Sequence, residues 1–353
     1  MIACPQHNNK RSASPASGFT LVEMMVALAI GLFLLGGLIS LLVSTSVART
    51  ELDKSSRQIE NGRYAMQLLS ADIMHAGFLG TYSPRGDAAQ TPDPCETVVA
   101  SLGFSADPLQ LPVFVQGYDG SAADPSCVTN RIAGTDVLVV RRVSTTSTPA
   151  ASPVANEVYF QSSFCVATPM PTAFVIGTSG FDRQLKDCAN FAPLNKYMVR
   201  VYYVSSCNIC SPSDNIPTLK VAEYVLGAMT VTPLVEGIQN LQVDYGIDMD
   251  GDGAPDCYIS NPDSPAAGEI AIAICPNPAA YVWTTAAQNW SNVVSVRIHV
   301  LARNNETSGG WTDTRTYNLG LAGTAGPFND NYKRHAYSAV ARVVNVSGRR
   351  ETP

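Results

Sequence analysis

The chain has 353 residues, of which 15% are charged and 46% hydrophobic, so it is long enough for one large domain or two smaller ones. Its formal net charge of −6, with no basic cluster, excludes a nucleic-acid footprint. No His-Glu-x-x-His, Gly-x-Ser-x-Gly or phosphate-loop Gly-Lys pair occurs, and His7, His75, His299 and His335 are scattered, so nothing in the sequence signals an enzyme.

Residues 1–17 are polar, with Lys10 and Arg11 as the charges ahead of a long apolar run. That run covers 19–43 and contains one charge, Glu23. About 25 residues at about 1.5 Å each are enough to cross a hydrocarbon core about 30 Å thick. Lys10 and Arg11 favour a cytoplasmic N-terminus, which puts the remainder on the periplasmic side of an inner membrane. A cleaved secretory signal would have a shorter apolar stretch lying before its cut. The small residues at Ser46-Val47-Ala48 leave removal of the whole anchor, with a start at Arg49, as a competing reading.

Residues 44–76 turn amphipathic. Leu52, Ile59, Met66 and Ile73 recur every seven residues with Leu69 between, while charges occupy the other positions, and Gly77 is the expected stop. A continuous helix over 19–76 would be about 87 Å long at about 1.5 Å per residue. Gly31, Gly36 and Gly37 weaken its first half or allow close helix packing.

From 77 onward a β-rich domain is expected. Residues 81–126 are rich in Pro, Gly and Asp and read as a long connection. Strands are predicted at 136–143, 157–160, 173–176, 197–204, 219–226, 238–247, 293–303, 314–319 and 337–346, where β-branched and aromatic residues alternate with turn residues. The fold class is therefore α+β, with a long N-terminal helix packed on an antiparallel sheet. Its segments are 1–18, a membrane half at 19–43, an amphipathic half at 44–76 and a β-rich part at 77–353.

After Cys4, the cysteines form an even set: Cys95, Cys127, Cys165, Cys188, Cys207, Cys210, Cys257 and Cys275. An even set fits an oxidising compartment. Many connectivities are open, and sequential pairing (95 with 127, 165 with 188, 207 with 210, 257 with 275) is the simplest. Cys207-Asn208-Ile209-Cys210 has redox-motif spacing but lies between two strand-like runs, not beside a βαβ unit, which favours a staple at a hairpin end.

Asp248-Met249-Asp250-Gly251-Asp252-Gly253 fits the first half of a calcium loop, and Asp256 falls at its ninth position. The twelfth position is Ile259, so the bidentate Glu is missing and Asp263 or Glu269 would have to complete the shell. The other reading is an acidic, Gly-rich turn after a strand. No cofactor is otherwise required.

Gly18-Phe19-Thr20-Leu21-Val22-Glu23 resembles the processing site of type IV pilins and type II secretion pseudopilins. The resemblance implies a leader at 1–18, peptidase cleavage between Gly18 and Phe19, and N-methylation of Phe19. It gives Glu23 the role of pairing with a neighbouring subunit's N-terminal amine during assembly, and it implies that the glycine-containing part of the helix can unwind in a filament. Gly134-Thr135-Asp136-Val137-Leu138, the segment 237–246 and the segment 334–345 resemble the PilW family of minor pilins. Membership implies a non-enzymatic subunit at the start or tip of the pilus, supporting assembly, adhesion and twitching motility. The implied partners are minor pilins of the PilV, PilX, PilE and FimU classes, the major pilin, a PilY-type adhesin and the prepilin peptidase. A secretion pseudopilin and an anchored or released periplasmic calcium-dependent binding protein are the alternatives.

Overall fold

The computed structural model describes residues 18–84, 88–165, 173–276 and 281–351. Lys10, Arg11, Cys4, His7 and the rest of residues 1–17 lie outside the described residues. Two compact units are present, Met1–Asp53 and Lys54–Pro353.

In chain order, helix α1 (Leu21–His75) is followed by β1 (Ala88–Gln90), β2 (Ser105–Ala106), β3 (Leu109–Pro112), β4 (Val115–Tyr118) and the long β5 (Val137–Thr148). Next come β6 (Tyr159–Ser162), β7 (Phe174–Gly177), β8 (Leu194–Ser205), β9 (Thr218–Val225), β10 (Ala228–Glu236), β11 (Ile238–Ile247) and β12 (Cys257–Ile259). A short α2 (Ala286–Ser291), β13 (Val293–Arg303), β14 (Tyr317–Asn318), β15 (Thr324–Ala325), β16 (Arg334–Arg342) and α3 (Val344–Ser347) complete the chain. The architecture is α+β with antiparallel sheets and disulfides. Seven strands form one sheet along the path β10-β9-β8-β5-β4, with β6 and β7 attached through β8, and four form a second in the order β12-β11-β13-β16.

The strand at β5 is buried on both faces, which explains its unbroken apolar run. Leu138 and Val140 face a core shared with Ala65, Met66, Leu69 and Ile73 of α1 and with β11 and β13, while Val137, Val139 and Val143 face a second core with Phe160, Phe174 and Tyr197. Successive side chains of a strand point to opposite faces, so both cores are served by one segment. Each fully buried Leu or Ile contributes roughly 1.5–3 kcal/mol.

The same alternation divides the arginines. Arg142 turns toward α1 and donates from Nε to Asp72 Oδ1 at 2.7 Å. Arg141, one residue away, enters the opposite core and donates to the carbonyls of Val113 and Pro92. Burial pushes its guanidinium below the ordinary range.

The buried face of α1 is formed by Gln58, Gly62, Ala65, Met66, Leu69, Asp72 and Ile73. Of the predicted stripe, Met66, Leu69 and Ile73 belong to it, whereas Ile59 is 39% exposed and Leu52 is 69% exposed. A seven-residue repeat drifts about 20° per heptad around a straight helix, so a stripe anchored at Ile73 has left the packed face two heptads earlier. Gly62 is on that face because a Cβ there would come within 2.2 Å of the Tyr337 ring.

The predicted connection at 81–126 contains four short strands, one of which, β4, extends the larger sheet. The hairpin strand β10 escapes a periodicity search because it is an exposed edge with Pro233 beside a register shift. Its turn, Leu226-Gly227 with φ of 50° and 94°, carries the signal that identifies it. The strand expected at 314–319 is limited to Tyr317–Asn318, which pairs with Thr324–Ala325, and the preceding Asp313 pairs its backbone with Asp330 and Asn329. The last strand begins three residues before the expected 337 and gives way to α3 after Val343 N–H bonds Val294 O at 2.8 Å.

Candidate functional site: the N-terminal segment and the acidic loop

Every large apolar side chain from Leu21 to Val43 is exposed, and α1 is long and apolar enough to cross a membrane. The hydroxyls of Ser44, Thr45 and Thr50 donate back to the carbonyls of Leu41, Leu42 and Ser46, so they need no water. Gly18 and Phe19 precede the first helical turn. Glu23 occupies a position the motif alone does not reveal. Its Oε2 accepts from Thr20 N–H at 2.9 Å and from Thr20 Oγ1 at 3.0 Å, while Thr20 Oγ1 accepts from Glu23 N–H at 3.3 Å. This is a reciprocal capping box, and Thr-x-x-Glu ahead of an apolar run is its sequence signature. Within a single chain, the one carboxylate of the apolar run is held by the helix's own first turn.

The acidic loop links β11 to β12. Asp248, Asp250 and Asp256 each present a carboxylate oxygen within 4.8 Å of the others. Asp248 is buried and accepts from Gly251 N–H at 2.7 Å and Gly253 N–H at 3.0 Å. Gly251 and Gly253 have φ of 85° and 87°, which a side chain would strain. Asp256 accepts from Met249 N–H at 2.6 Å, and burial together with repulsion from Asp250, Asp248 and Asp252 raises its pKa.

The other candidate ligands lie outside this converging group. Asp252 is not in the converging group and instead accepts from Ala254 N–H. Asp263 accepts from Trp290 Nε1 at 2.7 Å, and Glu269 accepts from the backbone and hydroxyl of Ser260. Ile259, at the twelfth position, is buried in β12. Arg350 is the residue that sequence reasoning missed. It donates to Asp248 Oδ2 at 3.1 Å, Asn292 Oδ1 at 2.6 Å and Ser291 O at 2.9 Å. An Arg near the C-terminus carries no local signal of such a contact. Its positive charge sits where a cation would draw on Asp248, so three carboxylates fit a hard divalent ion and a guanidinium opposes it.

The cysteines are joined 95 to 127, 165 to 188, 207 to 210 and 257 to 275. Each described histidine has a local partner: His75 bonds Ala71 O, His299 lies between Asp244 and Ser338, and the His335 ring meets that of Tyr337.

The three segments picked out downstream of the helix meet one another. Asp136 N–H bonds Leu241 O at 2.9 Å, Asp136 Oδ2 accepts from Val243 N–H at 2.9 Å, and Gln242 Nε2 donates to Gly134 O at 2.7 Å. Arg334 reaches Gln239 Oε1 at 2.7 Å and Asp313 Oδ2 at 2.9 Å. The segments 134–138, 237–246 and 334–345 thus form one junction around the second sheet.

Comparison with protein families gives two matches: Type IV Pilus-assembly protein W over residues 201–345, and the prokaryotic N-terminal methylation motif over residues 14–39. No curated protein and no solved structure matches the chain. The first match begins inside β8, ends inside α3 and takes in the hairpin β9–β10, the acidic loop and the whole second sheet. The methylation motif at the N-terminus and this match across the C-terminal sheets together match a PilW-family type IV pilin, a family of structural pilus components.

Proposed function

We propose that this pilin is a minor subunit, cut between Gly18 and Phe19 by the prepilin peptidase, methylated at Phe19 and incorporated at the start or tip of the filament. Before processing it is held in the inner membrane by residues 19–43, with the cytoplasmic N-terminus and periplasmic β-rich part that Lys10 and Arg11 favour. In the filament it works with the PilV, PilX, PilE and FimU classes, the major pilin and a PilY-type adhesin, and so supports assembly, adhesion and twitching motility. The observation that carries this reading is the joint occurrence, in one chain, of the methylation motif and the PilW match.

Mass spectrometry of pili sheared from cells expressing the protein tests it. The expected result is a peptide starting at N-methylated Phe19; a start at Arg49, or absence from the pili, overturns it. Glu23 acts in assembly through its charge, which pairs with a neighbouring subunit's N-terminal amine. Glu23→Gln separates this role from capping, since Gln also serves in a capping box. Incorporation should fall sharply in that variant, and normal incorporation would remove the charge-pairing role.

A second reading rests on the convergence of Asp248, Asp250 and Asp256, whose hard oxygen donors suit calcium. Calorimetry of the full chain with calcium should give a binding heat that Asp250→Asn abolishes. No heat in the wild type ends this reading.

A further inference from the structure

The Cys207–Cys210 bridge differs from an ordinary staple in three physical respects. It closes a loop with a sequence separation of 3, against 32, 23 and 18 for the other bridges, so it restricts the unfolded chain least. Its loop is also held without it. Asp214 accepts from the backbone N–H groups of Asn208, Ile209 and Ile216, Asp214 N–H bonds Ile209 O, and residues 210 and 213 form a backbone bridge. Finally, a lysine is aimed at it. Lys220, on β9 beside Tyr203 of β8, is only 6% exposed, and its Nζ lies 3.3 Å from Cys210 Sγ. Burial draws the Lys220 pKa down against the opposing attraction of Asp214.

Facing the disulfide, Lys220 is offset by Asp214, a carboxylate already engaged by three backbone N–H groups of its own loop, whereas a Cys210 thiolate adds a counter-charge at the sulfur 3.3 Å from Nζ. The reduced form is therefore selectively stabilised, which makes a disulfide easier to reduce. We propose that Cys207–Cys210 is an exchange-competent disulfide, with Cys210 as the reactive sulfur, Lys220 as its counter-ion and a dithiol as its chemical partner. Access agrees with this assignment, since Cys207 is 2% exposed and Cys210 is half-buried.

In the exchange, a thiolate of the dithiol attacks Cys210 Sγ and forms a mixed disulfide. The Cys207–Cys210 bond breaks, and Cys207 leaves with the electron pair and takes up a proton, with Ser205 Oγ 3.6 Å from its sulfur. The second sulfur of the dithiol, deprotonated, then attacks the first and expels Cys210 as the thiolate that faces Lys220. The dithiol has lost two electrons and become a disulfide, and the protein has gained them.

The test is redox titration of the full chain in detergent against dithiothreitol, followed by acid quench, differential alkylation and mass spectrometry of each cysteine pair. Cys207–Cys210 should be half-reduced at a reductant ratio about tenfold lower than any other bridge. Lys220→Met should erase about tenfold of that preference, equivalent to about 30 mV, while Lys220→Arg should retain it. Reduction together with or after the other bridges, or an unchanged midpoint in Lys220→Met, overturns the proposal. Should Lys220→Met fail to accumulate, the wild-type order of reduction and the pH profile of Cys210 alkylation after mild reduction decide. Half-maximal alkylation well below the ordinary thiol pKa of about 8.5 supports the assignment, and a value at or above it refutes it.

Discussion

Within helix α1, residues 21–53 and residues 54–75 treat polar groups in opposite ways. The first stretch nearly excludes them up to Val43, and its one early carboxylate is satisfied by its own first turn. The second carries charge into a packed interior. Asp72 is buried and accepts from Arg142 at 2.7 Å, Arg200 at 3.2 Å and Tyr202 Oη at 2.8 Å, while Gln58 donates to the carbonyls of Ala302 and Lys333. An apolar solvent offers no partners, so polar groups are kept out or bonded locally. A folded interior supplies partners at fixed positions, so a buried charge is tolerable there and fixes how the elements meet.

The largest test of this contrast removes a partner inside the fold. Asp72→Ala leaves Arg142 buried without its carboxylate and should cost about 3–5 kcal/mol, read from urea denaturation of the full chain in detergent. A loss below about 1 kcal/mol, the range of surface ion pairs, would mean that the buried network is no more than a surface-type contact.

Asp136 sharpens the comparison, because it is a buried carboxylate with hydrogen-bond donors but no cation. Burial raises its pKa from 3.8 to about 7, against the opposing effect of the Val243 and Gly120 N–H groups. The folded chain therefore holds a proton that the unfolded chain releases near pH 4. This group's contribution is most favourable below that pH, and up to about 4 kcal/mol is lost as pH rises toward 7. Asp136→Asn should flatten that slope in denaturation midpoints taken between pH 4 and 8. An equal slope in both proteins would place the pH dependence elsewhere.

The smallest test makes the same substitution in both halves of the helix. Gly62→Ala must push against the Tyr337 ring and should cost about 1–3 kcal/mol. Gly36→Ala meets nothing within 4 Å and should stabilise its helix by up to about 1 kcal/mol, seen as slower amide exchange in micelles. Effects of the same sign at both positions would break the distinction.

The sequence by itself determined the apolar run, the processing motif, the helix and the central strands, because each rests on local composition or on a period of 2 or 3.6 residues. The strands at 238–247 and 293–303 are found as Ile238–Ile247 and Val293–Arg303, since both are long and rich in β-branched residues. Tertiary structure alone decided which side of α1 is buried, for Gln58 and Asp72 replace Leu52 and Ile59 on the packed face. It also brought Arg350 to Asp248 across 102 positions and Lys220 to Cys210 across the turn between β8 and β9. Neither pairing has a periodic or compositional signature. Charge partners are chosen by where the folded chain places them, and hairpin register and the packing of elements supply those places.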